Sequence, residues 1–407
     1  MLFYFLGPLL FLCSCEKVDN EVKKDSDSGA EEVVSMKEVA RILSSVPLGN
    51  DRIAEVRDAV NASYSNGYDE EYTMRNIFSS PGAGVGEDML SKSSADSGRK
   101  NYSRPLREVF MEHFAQRSKA DASAGGTTVD AAAALEYLQN SDLQLYWPQS
   151  QLWTDEDISD IVITFDPDDG SDSNVGYYLD KSGQMQEILV TEELSSQRPV
   201  WVVNRNDDAL FQSLDVMLKN NPQWEEGGKI RIEPSYSASG KSRAEPQTQC
   251  KTLILKDFTM LRQYDSWFRG ASEFFIKLGS VESFKAATEA ELKLYNPSIT
   301  DFMVVVRRSQ VGIAHPLNTV LVSEWTSQLG SCALMITEDD GGTRTSWDCN
   351  AVVKYNSKSF GIELSLPYRS GDDIVWRGQL SRKYIEATND VTGYFGDTKL
   401  TFSVVDN

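Results

Sequence analysis

Residues 318–355 read NTVLVSEWTSQLGSCALMITEDDGGTRTSWDCNAVVKY, and the alternation within this stretch decides the fold class. Three short runs rich in Val, Leu, Ile and aromatic side chains (TVLVSEW, CALMITE and NAVVKY) are separated by segments of Gly, Ser, Thr and Asp. β-Branched and aromatic residues fit a pleated, half-buried surface, while Gly and Asp favour turns, so the reading is strand, turn, strand. The same texture runs from Cys250 to the end of the chain, through KTLILKDF, SEFFIKLG, DFMVVVRR, FGIELSL, DIVWRGQL and KLTFSVV. Short strands at near-regular spacing predict an antiparallel β-sandwich over 250–407.

Upstream of the sandwich the texture changes twice. SYSASGKSRAEPQTQ at 235–249 reads as a linker. Residues 141–234 mix strand runs (DISDIVITFDP, NVGYYLD, QMQEILV, RPVWVVNR, GKIRIEP) with one helical segment, DDALFQSLDVMLKNN, giving a middle α+β region. Residues 36–140 read as a helical domain. SMKEVARILSSV sets Met36, Val39, Ile42 and Leu43 at helical spacing behind Ser35 as N-cap. NDRIAEVRDAVNASY repeats the pattern with Ile53, Val56 and Val60, capped by Asn50 or Asp51. PLREVFMEHFAQRSK and TTVDAAAALEYLQ follow a Gly/Ser-rich loop. The expected fold class is therefore α+β and multidomain.

The start of the chain carries an address. MLFYFLGPLLFLCS at 1–14 is uncharged and apolar, yet shorter than the ~20 residues that span a bilayer as a helix. It ends in Leu12-Cys13-Ser14-Cys15 and gives way to EKVDNEVKKDSDSGAEE, too polar to fold and read as a tether over 16–35. An apolar run ending at small residues is the secretory h-region pattern. No Lys or Arg precedes it, where a signal normally has a positive n-region, so a start codon further upstream is expected.

Composition narrows the partners. The 407 residues carry a formal net charge of −21, and a phosphate backbone needs a basic face, so nucleic acid is not an expected ligand. Among the five cysteines, Cys332 and Cys349 flank TEDDGGTRTSWD. They could face each other across neighbouring strands as a disulfide in an oxidising compartment, or serve as small buried hydrophobes. Cys250 reads as a buried thiol.

Few motifs carry chemistry. The two histidines, His113 and His315, have no second ligand at metal spacing, and neither HExxH nor GxSxG occurs. SYSASGKS at 235–242 ends like a phosphate-binding loop but has Ser235 where that loop needs Gly. SGRK at 97–100 has acyl-enzyme spacing without the companion motifs. Two acidic loops are the candidate metal sites. DPDDGSDSN offers Asp166, Asp168, Asp169, Asp172 and Asn174; EDDGGTRTSWD offers Glu338, Asp339, Asp340 and Asp348. Calcium takes six to eight oxygens, commonly from carboxylate-dense turns. Neither loop fits an EF-hand, since Gly170 and Tyr177 occupy positions 5 and 12 of the first, and the plainer reading of each is an exposed turn. Of eight tryptophans, most are expected in the core, with Trp347 beside the second loop available to stack on a sugar.

The SCEK segment around Cys15 resembles the lipobox of bacterial lipoproteins, in which that Cys is acylated. With YWPQSQLW, ITFDPDDGSDSNVGYYLDKSGQ, RPVWVVNRND and TEDDGGTRTSWD, the pattern over most of 140–407 resembles surface lipoproteins of gut Bacteroidota, to which no chemistry is attached. The tail is faintly similar to C2-type calcium-binding sandwiches, with Asp340 and Asp348 alone matching one of their loops. The resemblance implies an outer-membrane lipoprotein, facing outward because carboxylates follow Cys15. The expected role is a non-catalytic binding module for protein or glycan, with structural calcium as the candidate ion. The alternative expectation is a hydrolase using the loop carboxylates, whose number makes some acid–base pair inevitable.

Overall fold

Ser35 caps the first helix as its sequence implies: its Oγ accepts the Glu38 backbone N–H at 3.2 Å, and α1 runs Met36–Leu43 with Met36, Val39, Ile42 and Leu43 buried. The computed structural model describes residues 33–79, 102–124, 130–153, 158, 160–206, 211–220 and 250–406. Cys15 with the 1–15 signal, most of the 16–35 tether, the SGRK motif, GKIRIEP and the 235–249 linker lie outside the described residues. Val34–Asn407 cluster as one compact unit. No helix among the described residues is long and apolar enough to cross a membrane.

Helix α2 spans Gly49–Ser65 and starts earlier than expected, after Leu48 and without a side-chain cap. Asn50 and Asp51 therefore sit inside its first turn, where the Asp51 charge favours the N-terminal end of the helix dipole. Strand β1 (Glu71–Thr73) and α3 (Met74–Phe78) follow, then α4 (Arg107–Ala124) and α5 (Ala131–Asn140). Asp130 caps α5 by accepting the Ala132 N–H. The middle region supplies β2 (Leu143–Tyr146), β3 (Val162–Phe165), β4 (Ser173–Leu179), β5 (Met185–Thr191), α6 (Glu192–Gln197), β6 (Val200–Arg205) and α7 (Leu214–Asn220).

The sheet of this half has the order β1-β2-β6-β3-β4-β5, antiparallel except for the parallel pair β3–β6. Its edge strand β1 comes from the segment read as purely helical. That segment does not close on itself, because Val39, Val56 and Phe110 share one core with Leu145, Ile163 and Trp201 from the sheet. A stripe on α1 and α2 needs a partner surface, and the sheet face supplies it across position 140.

The C-terminal half holds β7 (Lys251–Met260), β8 (Ser272–Ser280), β9 (Ser298–Val306), β10 (His315–Trp325), β11 (Leu329–Glu338), β12 (Arg344–Tyr355), β13 (Lys358–Arg369), β14 (Asp373–Ser381), α8 (Arg382–Ile385), β15 (Asp390–Phe395) and β16 (Thr398–Asp406). Two antiparallel sheets result, β10-β7-β16-β15 and β13-β12-β11-β8-β9, with β14 also lying along β11. One core draws on both, joining Leu255, Phe258 and Phe402 of the first to Ile276, Leu334 and Leu366 of the second.

The strands on either side of TEDDGGTRTSWD do not form a simple hairpin around it. β11 and β12 pair only far from the loop, at Leu329–Val353 and Ser331–Val352. Nearer the loop β11 is occupied on one edge by β14 and on the other by β8, so β12 turns to β13 instead. Cys332 lies opposite Leu380, and Cys349 opposite Leu364. Both are buried free thiols, as in the small-hydrophobe reading of the pair, and burial raises both thiol pKa values. Cys250 is half-buried rather than buried.

Candidate functional site

The connection between β7 and β8, residues 261–271, is one of the places where the two halves of the chain meet. Trp267 and Phe268 leave the C-terminal half and bury themselves against Val162, Val190, Val200 and Val202 of the other sheet. Polar groups fix the loop: Trp267 Nε1 donates to the Asp172 carbonyl at 2.9 Å, and Asn204 Nδ2 donates to the carbonyls of Phe268 and Arg269 at 3.0 Å each. Buried polar atoms of this kind are costly unless bonded, so the loop has one seat. Burying two aromatic rings is worth roughly 3–6 kcal/mol in area terms.

With the loop seated, Arg269 reaches both acidic segments. Its Nε lies 3.5 Å from Asp166 Oδ2 and its Nη1 lies 3.4 Å from Asp340 Oδ1. The two loops that the sequence offers as separate cation sites thus share one guanidinium. Arg369 pairs with Asp339 at 3.4 Å and Arg308 with Glu192 at 2.7 Å, while Arg308 Nη1 also donates to the Asp265 carbonyl.

Behind these pairs lie three buried carboxylates. Asp265 comes from the β7–β8 connection, Glu273 from the start of β8 and Glu338 from the end of β11, whose register sets Glu338 opposite Phe274. One carboxylate oxygen of each falls within 4.8 Å of the others. Among the described residues this is the group whose geometry could hold a metal ion. Burial raises the Asp265 carboxyl, opposed by its side-chain hydrogen bonds with Glu338 and Ser272 and by the charges of Arg269 and Arg308. Asp340, on the exposed side of the cluster, is pushed up to about 6 by burial and by Asp265 and Asp373. Asp372 is pushed up to about 7 by burial and by Asp339, against the pull of the Arg369 N–H that it accepts.

The remaining candidates do not converge. Asp166 Oδ1 accepts the Asp168 N–H and Asp169 Oδ1 the Ser171 N–H, closing local turns in which Asp168 has a positive φ of 59°. Asn174 donates to the Phe165 carbonyl and accepts from Val175, and Asp172 contributes a backbone carbonyl to Trp267. Asp348 belongs to strand β12, where its carboxylate accepts the Ser365 hydroxyl at 2.5 Å. Of the expected ligands, Glu338 alone joins the buried group. Asp265 and Glu273 went unmarked because no short motif contains them; an acidic residue bordering an apolar run, as in SEFFIK and LMITE, was the available signal.

Neither histidine joins the cluster. His113 stacks edge-on to Phe114 and His315 lies opposite Phe258 on β10, and burial lowers both imidazole pKa values. Trp147, Trp201, Trp267 and Trp325 are core residues. Trp347 is half-buried, with the Arg377 guanidinium 5.8 Å from its ring centroid.

A second polar centre lies between α2 and β1. Glu70 is buried, its Oε1 accepting the N–H and hydroxyl of Ser150 at 3.1 and 2.9 Å. Burial and the adjacent Asp69 push its carboxyl up to about 7. Asp69 Oδ2 in turn accepts the Ala271 N–H at 3.0 Å, tying this segment to the same connection.

No family model, curated protein or solved structure matches this chain.

Proposed function

We propose that this chain is a lipoprotein of the bacterial outer membrane, anchored through Cys15, whose body is a non-catalytic binding module for protein or glycan. In this reading the two C-terminal sheets form a β-sandwich, supported by their shared core. The observation that carries the non-catalytic part is the fate of the acidic loops. Asp166 and Asp340 are spent on Arg269, Asp339 on Arg369 and Asp348 on Ser365. Carboxylates engaged by the chain's own cations and hydroxyls hold surfaces together, whereas an acid–base pair must stand open to substrate. Trp347, on β12 beside Asp348, offers the face on which a sugar would stack.

The test expresses the whole chain and its Cys15→Ser variant in a bacterial host with labelled palmitate. The wild type is expected to take up label and sediment with outer membrane, and the variant to lose both. Surface-displayed cells are then offered immobilised glycans and host proteins, with released ligand analysed for cleavage. Capture without cleavage, weakened by Trp347→Ala, supports the module. Released fragments would refute the non-catalytic reading, and a wild type without label would refute the anchor.

A further inference from the structure

Helix α2 begins on a backbone shaped for an anion. Leu48 is right-handed at φ −69°, ψ −42° and Gly49 is left-handed at φ 69°. Alternating hands turn successive N–H groups towards one concavity that attracts negative charge. The first N–H groups of a helix have no acceptor within it, and no side chain caps those of α2. Gly49 and Asn50 are exposed, and a Cβ on Gly49 would meet nothing within 4 Å, so this end of the helix is open to solutes.

A side chain supplies the independent observation. Arg52 is only 2% exposed, and its Nη1 donates to the Pro47 carbonyl at 3.2 Å, which draws the guanidinium back to the peptide preceding Leu48. Its Nε and Nη2 are sealed from solvent and donate to nothing. These two nitrogens share one edge of the guanidinium, the fork that holds two oxygens of one anion. A buried cation without a counter-ion is costly, and this one stands at the positive end of a helix dipole, where positive charge is disfavoured. Burial and the Arg104 charge lower its pKa, against Glu112, Glu108 and Glu55. None of these carboxylates accepts from Nε or Nη2, and Glu55 spends its oxygens on the Tyr72 hydroxyl and the Leu106 N–H.

We propose that the start of α2 and the Arg52 guanidinium bind a phosphate group, free or as a monoester. A tetrahedral centre offers oxygens to the fork and to the helix terminus from different directions, whereas a carboxylate has two oxygens in one plane. Arg104 adds a second positive charge, its segment being fastened to α2 where the Ser103 hydroxyl donates to Asp51. Asp51, exposed on the same turn, opposes the anion. The site goes beyond the binding-module reading and does not rest on it.

The experiment titrates the whole chain with inorganic phosphate and with a sugar phosphate, by calorimetry at fixed ionic strength in sodium chloride. One phosphate per chain is expected. Arg52→Met should weaken binding by roughly tenfold or more, and Arg52→Lys by less, since it keeps the charge and loses the fork. Asp51→Asn should tighten binding, and Arg344→Met, an exposed arginine on β12, should leave it unchanged. Phosphate should raise the melting temperature of the wild type and not of Arg52→Met. Without phosphate, Arg52→Met should melt no lower than the wild type, because it removes an unpaired buried charge. The tighter of the two probes identifies the form of the ligand. A wild type that binds neither probe at millimolar concentration overturns the proposal, as does binding undiminished in Arg52→Met. An Arg52→Met chain that melts well below the phosphate-free wild type also overturns it, by showing the guanidinium already satisfied within the fold.

Discussion

Replacing Glu70 by Gln should change the pH dependence of stability. Glu70 ionises near pH 4.5 in the unfolded chain and near pH 7 in the fold, where burial and Asp69 resist its charge and Arg307 and Ser150 only partly compensate. A carboxyl whose folded pKa is raised binds more protons folded than unfolded, so stability falls as pH climbs between those two values. At 1.36 kcal/mol per unit the full penalty approaches ~3 kcal/mol, reached above pH 7. Glu70→Gln keeps an oxygen for the two Ser150 donors but cannot ionise. It gives up charge assistance worth roughly 1 kcal/mol. Tyr146, whose hydroxyl pKa burial and the charges of Asp69 and Glu70 raise well above its ordinary value, stays protonated across this range in both proteins. Urea unfolding at pH 5, 6, 7 and 8, followed by tryptophan fluorescence, should show the wild type losing about 2–3 kcal/mol more than the variant between pH 5 and pH 8. Parallel profiles, or a variant that is the less stable protein at pH 8, would refute the assignment of the buried charge to Glu70.

Three further outcomes are expected. Dithiothreitol should leave the melting temperature unchanged, and thiol reagents should reach Cys332 and Cys349 only after unfolding, because both are buried free thiols; a fall in melting temperature on reduction would restore the disulfide. Gly279→Ala should cost roughly 1–3 kcal/mol by overpacking, since a Cβ there would lie 2.2 Å from Leu364 Cδ1 on β13, and Leu364→Ala in the same chain should recover part of the loss in a double-mutant cycle. Arg269→Met should cost about 1–2 kcal/mol by releasing Asp166 and Asp340, an effect that shrinks in molar salt because both pairs are partly exposed; a loss independent of salt would assign the role of Arg269 to packing.

Local chemistry was legible in the sequence and distant register was not. Ser35 announced α1, and the alternating runs located β7–β14 and β16, because caps and two-residue periodicity are written within a few positions. The strand β15 passed unnoticed in DVTGYF, where Gly393 and exposed Tyr394 break the apolar pattern. β1 was hidden in the same way, as three residues between helices acquire strand character only from β2, seventy positions on. The pairing of β11 shows the same limit: adjacency suggests β12 as its neighbour along its length, but β8 and β14 compete for the edges of β11. The buried carboxylates follow that logic too. Glu338 stood out in an acidic run, whereas Asp265 and Glu273 meet it only through the β8–β11 pairing and the seating of Trp267.

The sheet order β10-β7-β16-β15 also orders events in time. β7 is the first strand of its half to be synthesised, and its neighbour β16 is the last, with Met260 opposite Thr398. A chain emerging residue by residue therefore carries a ten-residue strand with one open edge until β16 has emerged. Loop closure over that span costs little more than over a shorter one, but contacts so far apart in sequence form slowly. An unpaired edge is a template for association with other chains. Shortening the protein by its final strand would thus remove the middle of a sheet, leaving β15 detached and the edge of β7 exposed to whatever recognises unfinished chains.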